Sequence, residues 1–426
     1  MSQTQIHTNL GSFETVFRSV IAEAGTQNEA DRRKALDAYQ AAGFPSHKDE
    51  EFKYVSFRTW QESALTLAPA EQQLTVSLPN WHGAVYVFIN GRYSPAHSKP
   101  LTTTGRIRVD SSRNFELNLS TASYEGKLGS TNDSRFLDLN SALETDGISI
   151  LIPDGTVAAE PIQFVFIHEP SSTGEVVTVR NRISIGQNSI VKFTETYLGG
   201  GEAGFTNAVT EIEVGADSNV EHVRVQDESL SQAHVGQVWV HQERNSTYSS
   251  TNVQFGAALG RCDLNVFVNG EHAETWLNGV YVGKGDQQLD NHTRIDHAVP
   301  NCHSYEVYKG ILSDESAGVF NGKIFVYEDA QKTDAKQTNQ ALLLSGRASV
   351  NTKPQLEIFA DDVKCTHGAT VGQLRDDAMF YLRSRGIPVS EARNLLVYAF
   401  AAEAFERVSE STLHQWLEAR LYEMLS

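Results

Sequence analysis

The sequence predicts a mainly β protein, a β-solenoid held between helical segments at its two ends. Three observations carry that expectation. Between about residue 84 and residue 365, helical spacing gives way to short β-branched or aromatic runs separated by Gly, Asn, Asp and Ser. Within that region Ile183, Ile185, Gly186, Ser189 and Val191 align with Ile212, Val214, Gly215, Ser218 and Val220, an offset of 29 positions. Strands recurring at such intervals suit stacked coils, each pairing in parallel with the next, although a β-sandwich would also give short strands. Outside the region, on both sides, apolar residues return to 3.6-residue spacing.

The N-terminal part, from about residue 11 to 65, reads as helical. Phe13, Val16, Phe17 and Val20 share one helix face, and DRRKALDAYQAAGF forms a short charged helix that ends at Gly43, before Pro45. The strand candidates follow in order: VYVFING, ISILIPDG, PIQFVFIH, NRISIGQNSIVKFTE and TEIEVGADSNVEHVRVQ. Three helices close the chain. Leu374, Ala378, Tyr381 and Leu382 form the stripe of the first, which Gly386 and Pro388 terminate. Ala392, Leu395, Leu396, Ala399 and Phe400 form that of the second, after Ser390 as its N-cap. Leu413, Trp416, Leu417, Leu421 and Met424 form that of the third. Such stripes cover a core or cap a solenoid end; a docking face for another protein is the alternative, since one helix suffices to cover an end.

Composition narrows the function. The 426 residues carry a formal net charge of −18, which argues against a general surface for nucleic acid or anionic membrane. Three scattered cysteines without a CxxC pair exclude a disulfide framework and a complete cysteine-only metal site. The first residues, MSQTQIHTNLGSFETVF, lack the charged and apolar regions of a signal peptide, and no stretch approaches the roughly 18 apolar residues of a membrane span. The expected location is the cytoplasm, with reduced thiols.

No P-loop, GxSxG, HExxH or kinase motif is present, so any ATP hydrolysis belongs to another chain. LGGGEAG at 198–204 lacks the lysine of a phosphate cradle and reads as a turn between coils. In DDVKCTHGATVG, Cys365 and His367 end a strand-like run and, two apart, project from one face. Sulfur and imidazole together suit iron–sulfur or zinc chemistry, but two ligands cannot fill a four-coordinate site. A buried thiol beside a hydrogen-bonded histidine fits the same spacing. His292, His297, Cys302 and His303 form a second cluster whose parity scatters them over opposite faces, so hydrogen-bonding roles are expected; Cys262 reads as a small core residue. Asp361–Asp362 reads as a turn and Asp376–Asp377 as a helix first turn.

The run YKGILSDESAGVFNGKIFVYEDAQKTDAKQTNQALLLS, continuing through ASVNTKPQLEIFADDVKCTHGATVGQLRDDAMFYLRSRGI into EARNLLVYAF, resembles the shared core of the SufB/SufD family, scaffold subunits of the Suf machinery that assembles iron–sulfur clusters. PSHKDEEFKY (45–54), VFINGRYSP (87–95), the chain length and Gly368 after His367, where SufB typically carries an acidic residue, resemble the SufD branch.

The resemblance implies a right-handed parallel β-helix at residues 81–368 between helical segments at 1–80 and 369–426. It implies a non-catalytic scaffold that pairs with SufB through the β-helix and engages the ATPase SufC through its C-terminal helices. A homodimer is the form it implies for the isolated chain. His367 and Cys365 map onto the family's C-x-H-G motif, at a transient cluster site whose cysteine-rich part SufB supplies. Family complexes are also associated with a reduced flavin, for which this chain shows no motif. On this reading, ATP-driven pairing of two SufC subunits pulls on the terminal helices and reshapes the site. The alternatives are a SufB-like paralogue that holds more of the cluster itself, a structural adaptor indifferent to His367, and a carbohydrate-active β-helix enzyme.

Overall fold

The 29-residue offset is the rise of one coil. In the computed structural model Ile183 pairs in parallel with Ile212, and Val191 with Val220, so the two repeats lie directly on one another. The structure describes residues 3–24, 28–70, 74, 76–78, 81–101, 107–117, 119 and 133–425.

Among the described residues, twenty strands form two ten-stranded sheets. The early ones are β1 (Thr66–Leu67), β2 (Ala84–Ile89), β3 (Arg92–Tyr93), β4 (Arg108–Ser111), β5 (Ile148–Ile152) and β6 (Ile162–Ile167). The regular coils comprise β7 (Glu175–Ile185), β8 (Ile190–Gly199), β9 (Gly204–Val214), β10 (Asn219–Glu228), β11 (Ala233–Gln242), β12 (Thr247–Gln254), β13 (Leu259–Val268) and β14 (Glu274–Gly283). They continue through β15 (Gln288–His297), β16 (His303–Leu312), β17 (Ala317–Val326), β18 (Asp334–Leu343), β19 (Ser349–Ile358) and β20 (Lys364–Gly372). From β5 to β18 each strand pairs in parallel with the strand two ahead, odd numbers in one sheet and even numbers in the other. The fold is a parallel β-helix, and the sandwich alternative falls away.

Local chemistry explains the regular turns. From β7 to β18, between each odd strand and the next even one, a single residue takes a left-handed conformation: Asn188, Asp217, Asn245, His272, Asn301 and Lys332, with φ from 53 to 64°. Asn and Asp tolerate this region better than other L-residues, which is why the corners read as polar breaks in the sequence. Stacked corners also bond to one another, as when Asn245 Nδ2 donates to Asp217 Oδ1 at 2.8 Å. LGGGEAG spans the corner between β8 and β9, as a turn should.

Inward residues of both sheets form the main core, from Ile148, Phe164 and Phe193 to Tyr281, Tyr308 and Phe320. Packing there is close: a Cβ on Gly279 would lie 2.2 Å from the ring of Tyr308 on the next coil. Cys262 is buried, as expected, and its thiol is pushed up to about 11 by desolvation.

The helices pack on the outer faces. At the N-terminus α1 (Gln3–Ala24) and α2 (Glu29–Ala42), followed by α3 (Arg58–Glu62), set Phe13, Val16, Phe17, Val20, Leu36 and Tyr39 against Val176, Phe205 and Val235 of the odd-numbered sheet. Gly43, with φ 72°, ends α2 as expected. One helix is missing from the sequence reading: α4 (Arg135–Leu143) interrupts the β region, with Phe136, Leu139, Ala142 and Leu143 buried in the same cluster. It is too short and too uniformly buried to show a polar face, so no helical stripe stands out.

After β20 come α5 (Asp376–Ser384), α6 (Val389–Ala402) and α7 (Ser411–Leu425). Val397, Ala401, Leu413, Leu417 and Leu421 pack on Val223, Val253, Val280 and Ile311 of the even-numbered sheet. These helices therefore lie along the side of the solenoid. Two local expectations change. Pro388, not Ser390, occupies the N-cap of α6, because helical geometry already begins at Val389. Ala399 of the second stripe is exposed, and Val397 and Ala401 are the buried positions.

A buried ion cluster clasps the N-terminal segment to β15. Arg261 donates to the Glu51 carbonyl at 2.7 Å and to Asp290 at 2.6 Å, and its guanidinium lies 4.1 Å from the centre of the Phe52 ring. His292 sits between Asp290 at 2.9 Å and Glu51 at 3.2 Å. Burial and the Arg261 charge push its imidazole down, but the two carboxylates outweigh them and hold it at about 9. Because the folded value exceeds the unfolded one of about 6.5, this contribution to stability is complete below that pH and is lost as pH rises through about 9. Urea midpoints of the wild type should therefore fall more steeply between pH 7 and pH 10 than those of His292→Gln; equal slopes would contradict the clasp.

Candidate functional site

A strand inside the solenoid has a neighbour on each side; β19 and β20 have one. They end their sheets, and the far edge of each carries no partner strand among the described residues. Burial falls accordingly. Almost every residue of β11 is buried, whereas no residue of β19 or β20 is. Ile358, Phe359 and Val371 are exposed at this end. An exposed edge of this length is a template for another strand unless something blunts it. Pro354 lies within β19, a residue confined in sheets to such edges.

Cys365 and His367 both lie on β20, beside Ala335 and Gln337 of β18. Cys365 packs against the small cluster of Ile324, Val326 and Ala335, so its side chain faces inward. Strand alternation puts His367 on that same inward face, where no further coil covers it. The Cys365 thiol is half-buried and burial pushes it up. The His367 imidazole is exposed, without a hydrogen-bond or ion-pair partner among the described residues. The alternative of a buried thiol beside a hydrogen-bonded histidine finds no such bond at His367 among the described residues, and Cys365 is only partly buried.

These donors fit half of a metal site. A thiolate and an imidazole face one way from one strand, suited to iron or an iron–sulfur cluster. Among the described residues no group of three or more His, Cys, Asp or Glu side chains could hold a metal ion. Any coordination shell at this end would need donors beyond Cys365 and His367.

Two residues behind His367 had not been singled out. Gln337 and Glu306 occupy the same register position on the two preceding even strands, both buried. Gln337 Nε2 donates to Glu306 Oε2 at 2.7 Å, and burial pushes the Glu306 carboxyl up to about 7. The coil period was the signal that could have found them, since 306, 337 and 367 fall one coil apart.

In the second cluster His292, His297 and Cys302 have bonded partners, whereas His303 Nδ1 is buried without one. His297 Nε2 meets Ser304 Oγ at 2.9 Å inside the core, Cys302 Sγ donates to the Gly270 carbonyl, and His292 belongs to the clasp. Asp376 and Asp377 open α5. A cleft of about 420 Å³ beside α2 and α4 is lined by Arg32, Arg113, Arg180 and Arg182. Three of these pair with Glu23, Glu211 and Glu144, and Arg32 donates to backbone carbonyls, so the cleft is closed electrostatically.

At the C-terminal side α5 buries none of its residues, and Phe380, Tyr381 and the nearby Val389 are exposed. Of the stripe read from the sequence, Leu374 packs on the C-terminal cluster and Ala378 and Leu382 are partly covered, whereas Tyr381 faces out.

Residues 166–400 match the SufBD core domain of SUF system iron–sulfur cluster assembly, and residues 8–164 match the SufBD protein N-terminal region. An iron–sulfur cluster assembly SufBD family protein of Synechocystis sp. is 32% identical over 401 residues, covering 90% of this chain and 88% of the relative. The iron–sulfur cluster assembly protein SufD of Escherichia coli is 30% identical over 408 residues, 94% of each chain. A chloroplastic ABCI7 protein of Arabidopsis thaliana is 29% identical over 389 residues, 88% of this chain and 82% of the relative. No helix among the described residues is long and apolar enough to cross a membrane.

Alkylation under native conditions should label Cys365 alone among the three cysteines, since Cys262 and Cys302 are buried. Its raised pKa should make the reaction slower near pH 8 than for a free thiol and faster as pH rises. Peptide mass spectrometry that finds Cys262 labelled equally would contradict the burial described.

Proposed function

The chain belongs to the SufBD family of iron–sulfur cluster assembly proteins, and from that premise we propose that it is a scaffold subunit whose open solenoid end is finished by a SufB-type partner. The observation that carries the reading is the uncovered β20 with Cys365 and His367 on its inward face. A second β-helix docked there would pair with the free edges, bury Ile358, Phe359 and Val371, and bring its own ligands to the half-site. In isolation the same end would join two copies of this chain.

The iron–sulfur cluster is cargo here. His367 would offer a ring nitrogen, and Cys365 a sulfur that loses its proton on binding metal. Enclosure by the partner would exclude water from the half-site. Residues 81–368 would serve as the β-helix body and 1–80 as its N-terminal brace. Residues 369–426 would engage a SufC-type ATPase, with Phe380 and Tyr381 of α5 as the apolar contact. ATP-driven movement of that helix would reach β20 through the short link at residues 373–375. The chain itself would hydrolyse nothing, and it would act in the cytoplasm.

Gly368 supports the docking reading. A Cβ there would meet nothing within 4 Å and its backbone is not left-handed, so this fold does not require glycine. A close approach by a partner would. Gly368→Val should leave the thermal midpoint of the isolated chain unchanged and weaken its capture of the SufB-type partner; unchanged capture would place the interface elsewhere.

The ligand role has a direct test. His367→Ala should assemble with both partners yet form markedly less cluster in anaerobic reconstitution, read from iron, sulfide and visible absorbance. Wild-type cluster formation by that variant would leave a purely structural adaptor.

A further inference from the structure

The even-numbered sheet lines one inward column with Leu277, Glu306, Gln337 and His367 on successive coils. The last three are polar, and two of them lie in a solenoid interior where a polar group costs stability unless it is bonded. Glu306 and Gln337 are each 1% exposed. Their mutual bond, Gln337 Nε2 to Glu306 Oε2 at 2.7 Å, fixes the carboxamide: its N–H points back at the carboxylate, and its oxygen is left over. That Gln337 Oε1 is buried with no hydrogen-bond partner, whereas the Glu306 carboxyl also has the Thr293 hydroxyl beside it. An orphaned buried acceptor costs about 1–3 kcal/mol, so its persistence asks for a donor.

The next residue in the column is His367, whose neutral ring carries one N–H donor and has no partner of its own. Adjacent strands lie about 4.8 Å apart, within reach of a glutamine side chain. Packing alone does not demand this polar pair, because the same column accepts Leu277 one coil earlier.

We propose that Gln337, held from behind by Glu306, is a positioning residue for His367: its free oxygen takes the imidazole N–H when a partner covers the open end, and so aims the other ring nitrogen at the metal. The proposal rests on the ligand reading of His367 given above. Histidine ligands almost always donate their second ring nitrogen to such an acceptor, which fixes tautomer and ring orientation. The free chain thus holds the acceptor ready, and docking completes the bond by trapping the ring.

The test is anaerobic titration of ferrous iron into the complex of the full chain with its SufB-type and ATPase partners. Gln337→Leu should weaken iron binding by about 10–100-fold, the usual effect of removing such a support. Its thermal midpoint should fall, because Glu306 loses the Gln337 donor, but recovery of the complex should stay at the wild-type level. Glu306→Leu should weaken binding likewise, whereas Glu306→Gln, which still offers an acceptor to the Gln337 amide, should keep wild-type affinity. Should Gln337→Leu fail to assemble, the two Glu306 variants decide alone. Wild-type iron affinity in both leucine variants, together with weak binding by His367→Ala, would overturn the positioning role and leave the ligand reading standing. Wild-type affinity in His367→Ala would overturn both.

Discussion

In-register parallel stacking is the constraint on which the rest of this structure depends. Each coil satisfies its backbone groups and covers its inward side chains only through the coils on either side. The arrangement is self-consistent along the solenoid and necessarily incomplete at its end. There the free edges of β19 and β20, the uncovered inward face and the exposed Ile358, Phe359 and Val371 all follow from one missing neighbour. The candidate site is a consequence of the same geometry: Cys365 and His367 lie on β20, whose outer edge has no partner strand among the described residues.

The terminal segments stabilise the body without closing that end. The N-terminal helices cover the odd-numbered sheet and α6 and α7 the even-numbered one, with each fully buried aliphatic side chain contributing about 1.5–3 kcal/mol. Had these helices capped the last coil, His367 would be a core residue. Their lateral placement keeps the end free and leaves α5, with Phe380 and Tyr381 exposed, next to β20 in the chain. On the proposed reading, a helix without fully buried residues directly following the open strand would be a short mechanical route between the ATPase partner and Cys365 and His367.

Much of this was legible in the sequence because it depends on period. Ile183 and Ile212 stack as their spacing implied, Gly43 ends its helix, and Cys365 and His367 share a face because they are two apart in a strand. What escaped depends on three-dimensional surroundings. The helix α4 has buried residues on nearly every side and shows no polar stripe. Nothing local distinguishes the stripe of α5, which buries no residue fully, from that of α7, which buries Leu413, Leu417 and Leu421. Glu306 and Gln337 look like surface polar residues in an alternating strand; only the coil register reveals them inside, behind His367.

Amide hydrogen exchange at the solenoid end tests the central claim most directly. Outward-directed amides of β19 and β20 should exchange fast in a monomeric preparation of the free chain and become protected when the SufB-type partner binds, while β11 stays protected throughout. Unchanged exchange in β19 and β20 on complex formation would contradict the account, because the partner would then be docking somewhere other than the open end.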